Sequence, residues 1–302
     1  MNKIGLIFDS TSGISINKAK ELGVGFIPLN ITVNENEYKS GVDLSREEMY
    51  SLMKDRNTVV KTSSPTGKSI KEALDFAVNN FEHSIYIGIS NKWSGTQNAV
   101  KNIIENNDKY KGRITIYKSL YSSPWIGLFI EDALKLIEKN NDIDEFINIL
   151  DTANKYMIAY LSPGDIWWFY KGGRITKTQY LLGSLTNINP VLKFRNGAID
   201  KNSTIKARGT KKSMTKMCQG ISDDLNKLKS LPKSLYKIIA LKTNDDELLD
   251  SLLTTIEEEL AIPREEVIID QLSNEQIAHM GPNSYGLGIY VSLENIKKAK
   301  LS

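Results

Sequence analysis

The sequence predicts an α/β protein built from two domains. Short apolar runs alternate with amphipathic stretches of helix length, which is the pattern of strand–helix units around a parallel sheet. The 302 residues suffice for about two domains of average size. A cluster of turn residues, Ser162 to Asp165, marks the boundary. We therefore expect domains over residues 1–163 and 164–302.

The apolar runs of strand length define the predicted strands. The first is too short for the core of a signal peptide and is broken at once by Asp9, so it indicates a buried strand. In order, the predicted strands are Ile4–Phe8, Gly25–Val33, Ser84–Ile89, Ile114–Lys118, Met157–Leu161, Ile188–Phe194, Lys237–Lys242, Val267–Asp270 and Gly288–Ser292.

The amphipathic stretches between these runs define the predicted helices. Those of the first domain are Ile16–Leu22, Arg46–Lys54, Pro65–Asn80, Thr96–Glu105, Ser123–Asn140 and Ile143–Asn154. Those of the second domain are Thr178–Thr186, Lys211–Lys227, Asp245–Leu260 and Ser273–His279.

The composition excludes several classes of protein. Thirty-nine Lys and Arg against 36 Asp and Glu give a net charge of +3, so no bulk field attracts nucleic acid or an anionic membrane. Two histidines and one cysteine exclude a disulfide framework and a zinc cluster, and we predict no metal site. No apolar run approaches the ~18 residues of a membrane helix, so we expect no stable membrane insertion. The single cysteine and the lack of a leader predict a cytoplasmic protein.

The charge is distributed unevenly in the second half of the chain. The stretch from Lys193 to Lys216 is basic and is opposed by Asp200 alone, whereas the stretch from Asp245 to Glu275 is strongly acidic. Both stretches fit solvated faces. The basic stretch 193–216 also fits a face that meets an acidic or phosphorylated partner.

The sequence contains neither of the two common motifs that bind nucleotide phosphates. Gly67-Lys68-Ser69 resembles the end of a phosphate loop, but Thr62 stands where the first glycine of that loop is required. Pro65 would also remove a backbone N–H from the loop. No predicted strand is followed by the G-x-G-x-x-G pattern of dinucleotide-binding proteins. Nucleotide binding by either route is therefore disfavoured.

Two hydroxyl-rich turns each open a predicted helix. The first, Thr62 to Thr66, contains Pro65, which suits the first position of a helix. The second, Ser90 to Thr96, directly follows a predicted strand. Exposed N–H groups and the helix dipole favour anions at such turns, although Ser and Thr are also the ordinary helix caps. Because ligands of open α/β folds bind at the carboxyl edge of the sheet, we expect the two turns to share a site.

Glycine-containing turns carry two further candidates. His279 stands just before Gly281-Pro282, which predicts a sharp turn that aims the imidazole into a cleft, with a structural histidine as the alternative. Gly172-Gly173 allows close approach of the backbone or positive φ and fixes where Arg174 points, with a flexible loop as the alternative. Asp9-Ser10 closes the first strand, and we expect it to cap the turn that follows, with a position lining the same cleft as the alternative.

Taken in order, these motifs resemble the DegV family of bacterial fatty-acid-binding proteins, the lipid-carrying subunits of fatty acid kinase. No single motif is specific to the family. The order and the spacing of the motifs are specific, and they extend over nearly the whole chain. The motifs are Asp9-Ser10-Thr11, Thr62-Ser63-Ser64-Pro65, Ser94-Gly95-Thr96, Lys171-Gly172-Gly173-Arg174-Ile175, Asn189-Pro190-Val191-Leu192 with Gly197, Arg208 and His279-Met280-Gly281-Pro282.

The resemblance implies a fold and a site. The N-terminal domain would hold a mostly parallel sheet flanked by helices, followed by a C-terminal α/β domain, with a long-chain fatty acid bound between them. Its carboxylate would be held by Thr62, Ser94 and His279, and no residue would be catalytic. A separate fatty acid kinase would phosphorylate the bound carboxylate for phospholipid synthesis. Supporting or partner-facing positions would be Ser63, Gly95, Thr96, Arg174 and Arg208.

The sequence departs from the family pattern at several bulky residues. Trp93 stands where the family commonly has Leu, Trp125 falls where small residues are usual, and Trp167-Trp168 precedes the glycine pair. These side chains either reshape the acyl pocket or pack in the core.

Two other functions fit the same residues. A hydrolase or transferase would use Ser94 as nucleophile and His279 as base, but no carboxylate that orients His279 is identifiable in the sequence. A regulatory interaction module would bind its partner through the basic stretch 193–216.

Overall fold

The computed structural model describes residues 2–120, 122–139, 142–173, 175–177, 180–181, 188–200, 204–228, 231–242 and 244–299. The chain divides into two units, described one at a time below. The first unit consists of Met1–Leu52, Asn57–Asp151 and Ser273–Glu275, and the second of Met53–Arg56, Thr152–Leu272 and Gln276–Ser302. The division after Asp151 comes earlier in the chain than the boundary at 163/164 that the turn residues predict.

The first unit holds one parallel and one antiparallel sheet. Its strands are β1 (Asn2–Asp9), β2 (Gly25–Ile27), β3 (Asn30–Val33), β4 (Asn36–Lys39), β5 (Val60–Ser63), β6 (Phe81–Ile87) and β7 (Ile114–Ile116). The parallel sheet has the order β2-β1-β6-β7, and the antiparallel sheet has the order β4-β3-β5. The mostly parallel sheet expected for the N-terminal domain is confirmed.

Several helices of the first unit pack on the parallel sheet. The helices are α1 (Ile16–Leu22), α2 (Arg46–Leu52), α3 (Gly67–Asn80), α4 (Thr96–Glu105) and α5 (Trp125–Lys139), and α6 (Ile143–Tyr156) continues into the second unit. Ile70 and Leu74 of α3 and Val100 of α4 share one buried cluster with Ile7 and Tyr86 of the sheet. Burial of this apolar face holds both helices against the sheet, and that positions the two hydroxyl-rich turns that precede them.

The second unit is built on a mixed sheet. Its strands are β8 (Ile158–Ser162), β9 (Ile188–Arg195), β10 (Ala198–Ile199), β11 (Ile205–Arg208), β12 (Tyr236–Lys242), β13 (Ile268–Gln271) and β14 (Tyr285–Val291). The order is β10-β9-β8-β14-β12-β13, with β11 also paired to β9. The pairs are antiparallel except for β12 with β13.

The helices of the second unit pack on this sheet. They are α7 (Ile166–Lys171), α8 (Thr210–Lys227), α9 (Asp246–Leu260), α10 (Asn274–Met280) and α11 (Leu293–Ala299). The buried face of α8 includes Met214, Met217 and Ile221, which are almost fully buried. None of the helices in the described ranges is both long enough and apolar enough to cross a bilayer.

Several predicted elements are corrected by the structure. The predicted strand Gly25–Val33 is two strands, β2 and β3, because the chain leaves the parallel sheet at Pro28 and pairs with β4 and β5 instead. The strands β4, β5, β10 and β11 and the helices α7 and α11 were not predicted. The predicted helix Thr178–Thr186 lies largely outside the described residues.

Candidate functional site

The turn Ser90–Thr96 follows β6 at the carboxyl end of the parallel sheet. The carbonyl of Ser90 accepts hydrogen bonds from the N–H groups of Trp93 (3.0 Å) and Ser94 (3.3 Å). The Ser94 hydroxyl accepts from the Thr96 N–H (3.2 Å) and lies 2.8 Å from Thr96 Oγ1. Gly95 is the N-cap of α4 and brings no side-chain cap of its own. Ser94 therefore stands at the positive end of the α4 dipole.

The turn Thr62–Thr66 lies between β5 and α3. Thr62 is half-buried in β5, opposite Ile31 of β3. The cap of α3 is Thr66, whose Oγ1 accepts from the Ser69 N–H at 3.1 Å. The prediction that Pro65 takes the first helical position is wrong, because Pro65 precedes this cap. The strand that precedes this turn, β5, belongs to the antiparallel sheet and not to the parallel one.

The structure nevertheless brings the two hydroxyl-rich turns together. Ser64 Oγ lies 3.5 Å from the position that a Cβ on Gly95 would occupy. The carbonyl of Ser64 is fixed by a hydrogen bond from Asn30 Nδ2 at 3.1 Å. The turns that precede α3 and α4 are thus neighbours within the first unit. Each carries hydroxyl groups and leads into a helix N-terminus, which is an environment that favours an anion.

Asp9 ties the end of β1 to the end of β6. Its Oδ1 accepts from the N–H of Thr11 (3.1 Å) and from the Thr11 hydroxyl, so the prediction that Asp9 caps the following turn is confirmed. Its Oδ2 accepts from Tyr86 Oη (2.8 Å) and from the Ile89 N–H (2.9 Å). Burial raises the pKa of Asp9 to about 6, the hydrogen bonds oppose that rise, and the negative charge of Glu275 adds to it.

The contacts of Asp9 with β6 were missed in the sequence. They join residues that lie far apart along the chain, and no local pattern reports such a contact. One signal was present in Gly88, which interrupts the apolar run of the predicted strand Ser84–Ile89. A Cβ on Gly88 would collide with Tyr86 Oη and Asp9 Oδ2, so the glycine is required for the carboxylate to approach.

His279 and the glycine pair lie together in the second unit. His279 is half-buried near the end of α10, and Gly281 after it has φ +82°. A Cβ on Gly172 would collide with His279 Nδ1, and Gly173 has φ +70°. The predicted close approach and positive φ are thus both confirmed. Arg174 lies outside the described residues.

The remaining predicted positions are spread over both units. Ser63 and Gly95 are exposed, Thr96 is fully buried, and Arg208 is exposed at the end of β11. Trp125 and Trp168 are buried, which favours the core-packing interpretation for these two, whereas Trp93 and Trp167 are half-buried.

The basic stretch 193–216 is not one exposed face. The Lys193 side chain is 8% exposed and lies 2.6 Å from Asp224 Oδ2, so its charge is paired inside the second unit. The acidic stretch likewise includes a buried residue, Glu275, which accepts from Ser10 Oγ at 2.5 Å. Within the described ranges, no three His, Cys, Asp or Glu side chains group in a way that could hold a metal ion.

This is a two-unit α/β protein whose first unit presents paired hydroxyl-rich turns at two helix N-termini. The family model described as "Uncharacterised protein, DegV family" matches residues 3–292. The chain therefore belongs to the DegV family.

Relatives match this chain over nearly its full length. A DegV domain-containing protein of Halalkalibacterium halodurans is 28% identical over 293 residues, covering 96% of this chain and 99% of the relative. A stearic acid-binding protein from Eubacterium ventriosum has a TM-score of 0.80 at 22% identity, covering 97% of this chain and 99% of that one. A fatty acid-binding DegV family protein from Thermus thermophilus has a TM-score of 0.77 at 23% identity, covering 96% and 99%. These likenesses show that the fold is that of DegV proteins.

Proposed function

We propose that this protein is a non-catalytic carrier that binds a long-chain fatty acid and presents its carboxylate to a separate fatty acid kinase. The carboxylate is bound by Thr62 and Ser94, with His279 as a further contact. Ser63, Gly95 and Thr96 support this site. The observation that carries the proposal is the adjacency of the Thr62–Thr66 and Ser90–Thr96 turns, with Ser64 Oγ 3.5 Å from the Cβ position of Gly95.

The chemistry of the two turns suits a carboxylate. Ser and Thr hydroxyls donate hydrogen bonds without carrying a charge, and a carboxylate that leaves water must be hydrogen-bonded. The positive ends of α3 and α4 add a favourable field for an anion. In Ser94 the hydroxyl is already oriented by Thr96, 2.8 Å away. The turns therefore offer fixed, neutral donors to one anionic group.

The acyl chain supplies most of the binding free energy. Burying about fifteen methylenes at roughly 0.8 kcal/mol each contributes on the order of 12 kcal/mol. The head-group contacts then decide orientation. Relatives with this fold are described as binding stearic acid and other fatty acids, which supports the same ligand class here.

The phosphoryl transfer belongs to the partner in this proposal. The sequence lacks the phosphate loop and the dinucleotide-binding pattern. Arg208, exposed at the end of β11, is proposed to face the kinase, and Arg174 to lie near the head group.

The lipid content of the purified protein tests the proposal. Denaturing extraction followed by mass spectrometry should release a long-chain fatty acid near one per chain. The double variant Thr62→Ala/Ser94→Ala should lose that fatty acid and keep its circular dichroism spectrum, because both side chains are only half-buried. A protein that holds no fatty acid and binds none when it is added would overturn the proposal.

The matched control is Ser15→Ala. Ser15 caps α1 by accepting from the Lys18 N–H at 3.2 Å and lies in neither turn. Its removal costs a cap, about 1 kcal/mol of stability, and should leave the lipid content unchanged. Equal lipid loss in both variants would show that the loss reflects general destabilisation rather than the anion site.

A further inference from the structure

We propose that Asp9 is the positioning residue of the anion site, because its carboxylate fixes the strand end from which the Ser90–Thr96 turn starts. This inference rests on the proposed function, in which Ser94 holds the fatty acid carboxylate. Asp9 itself does not touch the ligand in this proposal. It acts through the backbone of Ile89 and Ser90.

The Asp9 carboxylate is hydrogen-bonded to the backbone just beyond the end of β6. Asp9 is fully buried, and its Oδ2 accepts from the Ile89 N–H at 2.9 Å and from Tyr86 Oη at 2.8 Å. Ile89 lies just beyond the last residue of β6, where the ladder no longer pairs the backbone. The carboxylate therefore replaces the missing strand partner, and a buried N–H without an acceptor would be costly.

Ile89 is connected to Ser94 through the backbone of Ser90. Ser90 follows Ile89 directly, is fully buried, and its carbonyl accepts from Trp93 and Ser94. Ser94 in turn bonds with Thr96, the first residue of α4. Two consecutive backbone positions thus connect the carboxylate to the backbone N–H of Ser94. A displacement of Ile89 would move the acceptor that holds the Ser94 N–H.

Gly88 provides the space that the Asp9 carboxylate occupies. Gly88 leaves room for Asp9 Oδ2 and Tyr86 Oη, with which any Cβ at that position would collide. On the other side, the Asp9 Oδ1 accepts from Thr11. The carboxylate is thus enclosed by donors on both oxygens, which fixes its orientation.

An amide cannot reproduce this arrangement. Asparagine caps a helix as well as aspartate does, so Asp9→Asn can keep the bond from the Thr11 N–H. Its NH₂ group then faces Tyr86 Oη, which can turn to accept, and the Ile89 N–H, which cannot. The substitution therefore removes the support of the turn while it leaves the side-chain volume unchanged.

Binding of two ligands of equal chain length tests the proposal. Lipid-free wild-type protein and Asp9→Asn are titrated with palmitic acid and with 1-hexadecanol, which lacks the carboxylate. We expect Asp9→Asn to bind palmitic acid about tenfold more weakly, the size of one weakened hydrogen bond to a charged group. The affinity for 1-hexadecanol should stay at the wild-type value. Equal palmitic acid affinity in the two proteins, or equal losses for both ligands, would overturn the proposal.

The matched control is Asp75→Asn. Asp75 also accepts from a tyrosine, Tyr110 Oη at 2.7 Å, in the same unit but on α3 and away from the turn. It should bind both ligands as the wild type does. If the wild-type protein itself binds no palmitic acid, the proposed function fails, and the positioning role is then decided by the next measurement.

An NMR titration of the wild-type protein needs no folded variant. The amide signals of Ile89 and Ser94 are followed from pH 5 to 8, together with those of Thr11. If Asp9 positions the turn, the Ser94 amide shares the midpoint of Ile89 and Thr11. The other titratable groups that face Asp9 are Tyr86 and Glu275, and Glu275→Gln distinguishes the latter. A Ser94 amide that does not follow the Ile89 midpoint would refute the positioning role.

Discussion

Each unit of the molecule buries an aspartate that accepts from a tyrosine, and the two are stabilised differently. Asp9 of the first unit is held by neutral donors from Thr11, Tyr86 and Ile89. Asp224 of the second unit accepts from Tyr160 Oη at 2.6 Å and is ion-paired with Lys193. The first arrangement leaves a carboxyl that can gain a proton near neutral pH. The second fixes a charge pair inside the sheet–helix interface.

The comparison separates two uses of a buried acid. A paired charge is intolerant of change because removal of one partner leaves the other unpaired in a medium of low polarity. An acid held by dipoles alone carries its desolvation penalty as a raised pKa. Asp9 belongs to the second kind and stands beside the candidate site, whereas Asp224 lies on α8 and contacts Tyr160 of β8 and Lys193 of β9.

The largest expected effect comes from breaking the charged pair. Lys193→Met leaves Asp224 buried without its closest cation and should lower the free energy of unfolding by about 3–5 kcal/mol. Lys227→Met is the control, because Lys227 lies 3.8 Å from the same carboxylate with its side chain 72% exposed, and should cost less than about 1 kcal/mol. Urea denaturation measures both. Similar costs for the two variants would show that the burial of Lys193 does not matter.

The next effect is the pH dependence that Asp9 confers. The ordinary pKa of an aspartate is 3.8, and burial raises the pKa of Asp9 to about 6 in the folded protein. Between these values the native state holds a proton that the unfolded chain has lost, so stability falls as pH rises and levels off above about 6. The full effect is about 3 kcal/mol. It is measured as the difference in unfolding free energy between wild type and Asp9→Asn from pH 4 to 7.

Asp75 supplies a control of opposite sign. The hydrogen bonds from Lys109 and Tyr110 hold the pKa of Asp75 below its ordinary value. The advantage of wild type over Asp75→Asn should therefore shrink as pH falls, while the advantage over Asp9→Asn grows. A flat difference for Asp9→Asn would contradict a folded pKa near 6.

The same contrast shows where sequence patterns are informative. Periodicity locates α4 at Thr96–Glu105, as observed, because that helix buries one clear apolar face. The strands β4 and β10 escape prediction because they are short, and β4 is largely polar. In β9, Lys193 lies two residues after the buried Val191 and therefore on the same face. That alternation indicates burial, which the charge pattern alone does not.

The candidate site was predictable in part for the same reason. Hydroxyl-rich turns before helices are local patterns, so the segments carrying Thr62 and Ser94 could be singled out from their neighbours in sequence. Their adjacency depends on the packing of α3 and α4 on the sheet. The contact of Asp9 with Ile89 depends on the parallel register of β1 and β6. Neither the helix packing nor the strand register can be predicted from residues that are close together in the sequence.

The smallest expected effect comes from removing one tyrosine hydroxyl at a time. Tyr86→Phe and Tyr160→Phe each delete one donor to a buried carboxylate and should each cost about 1 kcal/mol of unfolding free energy. Only Tyr86→Phe should also move the Asp9 titration, and upwards, because the hydrogen bond from Tyr86 lowers the pKa of Asp9. The midpoint is read from the Ile89 amide signal, with Tyr160→Phe as the control that keeps the wild-type midpoint. A midpoint that stays in place in Tyr86→Phe would mean that Tyr86 does not stabilise the ionised form, and that the donors of Thr11 and Ile89 alone offset the burial of Asp9.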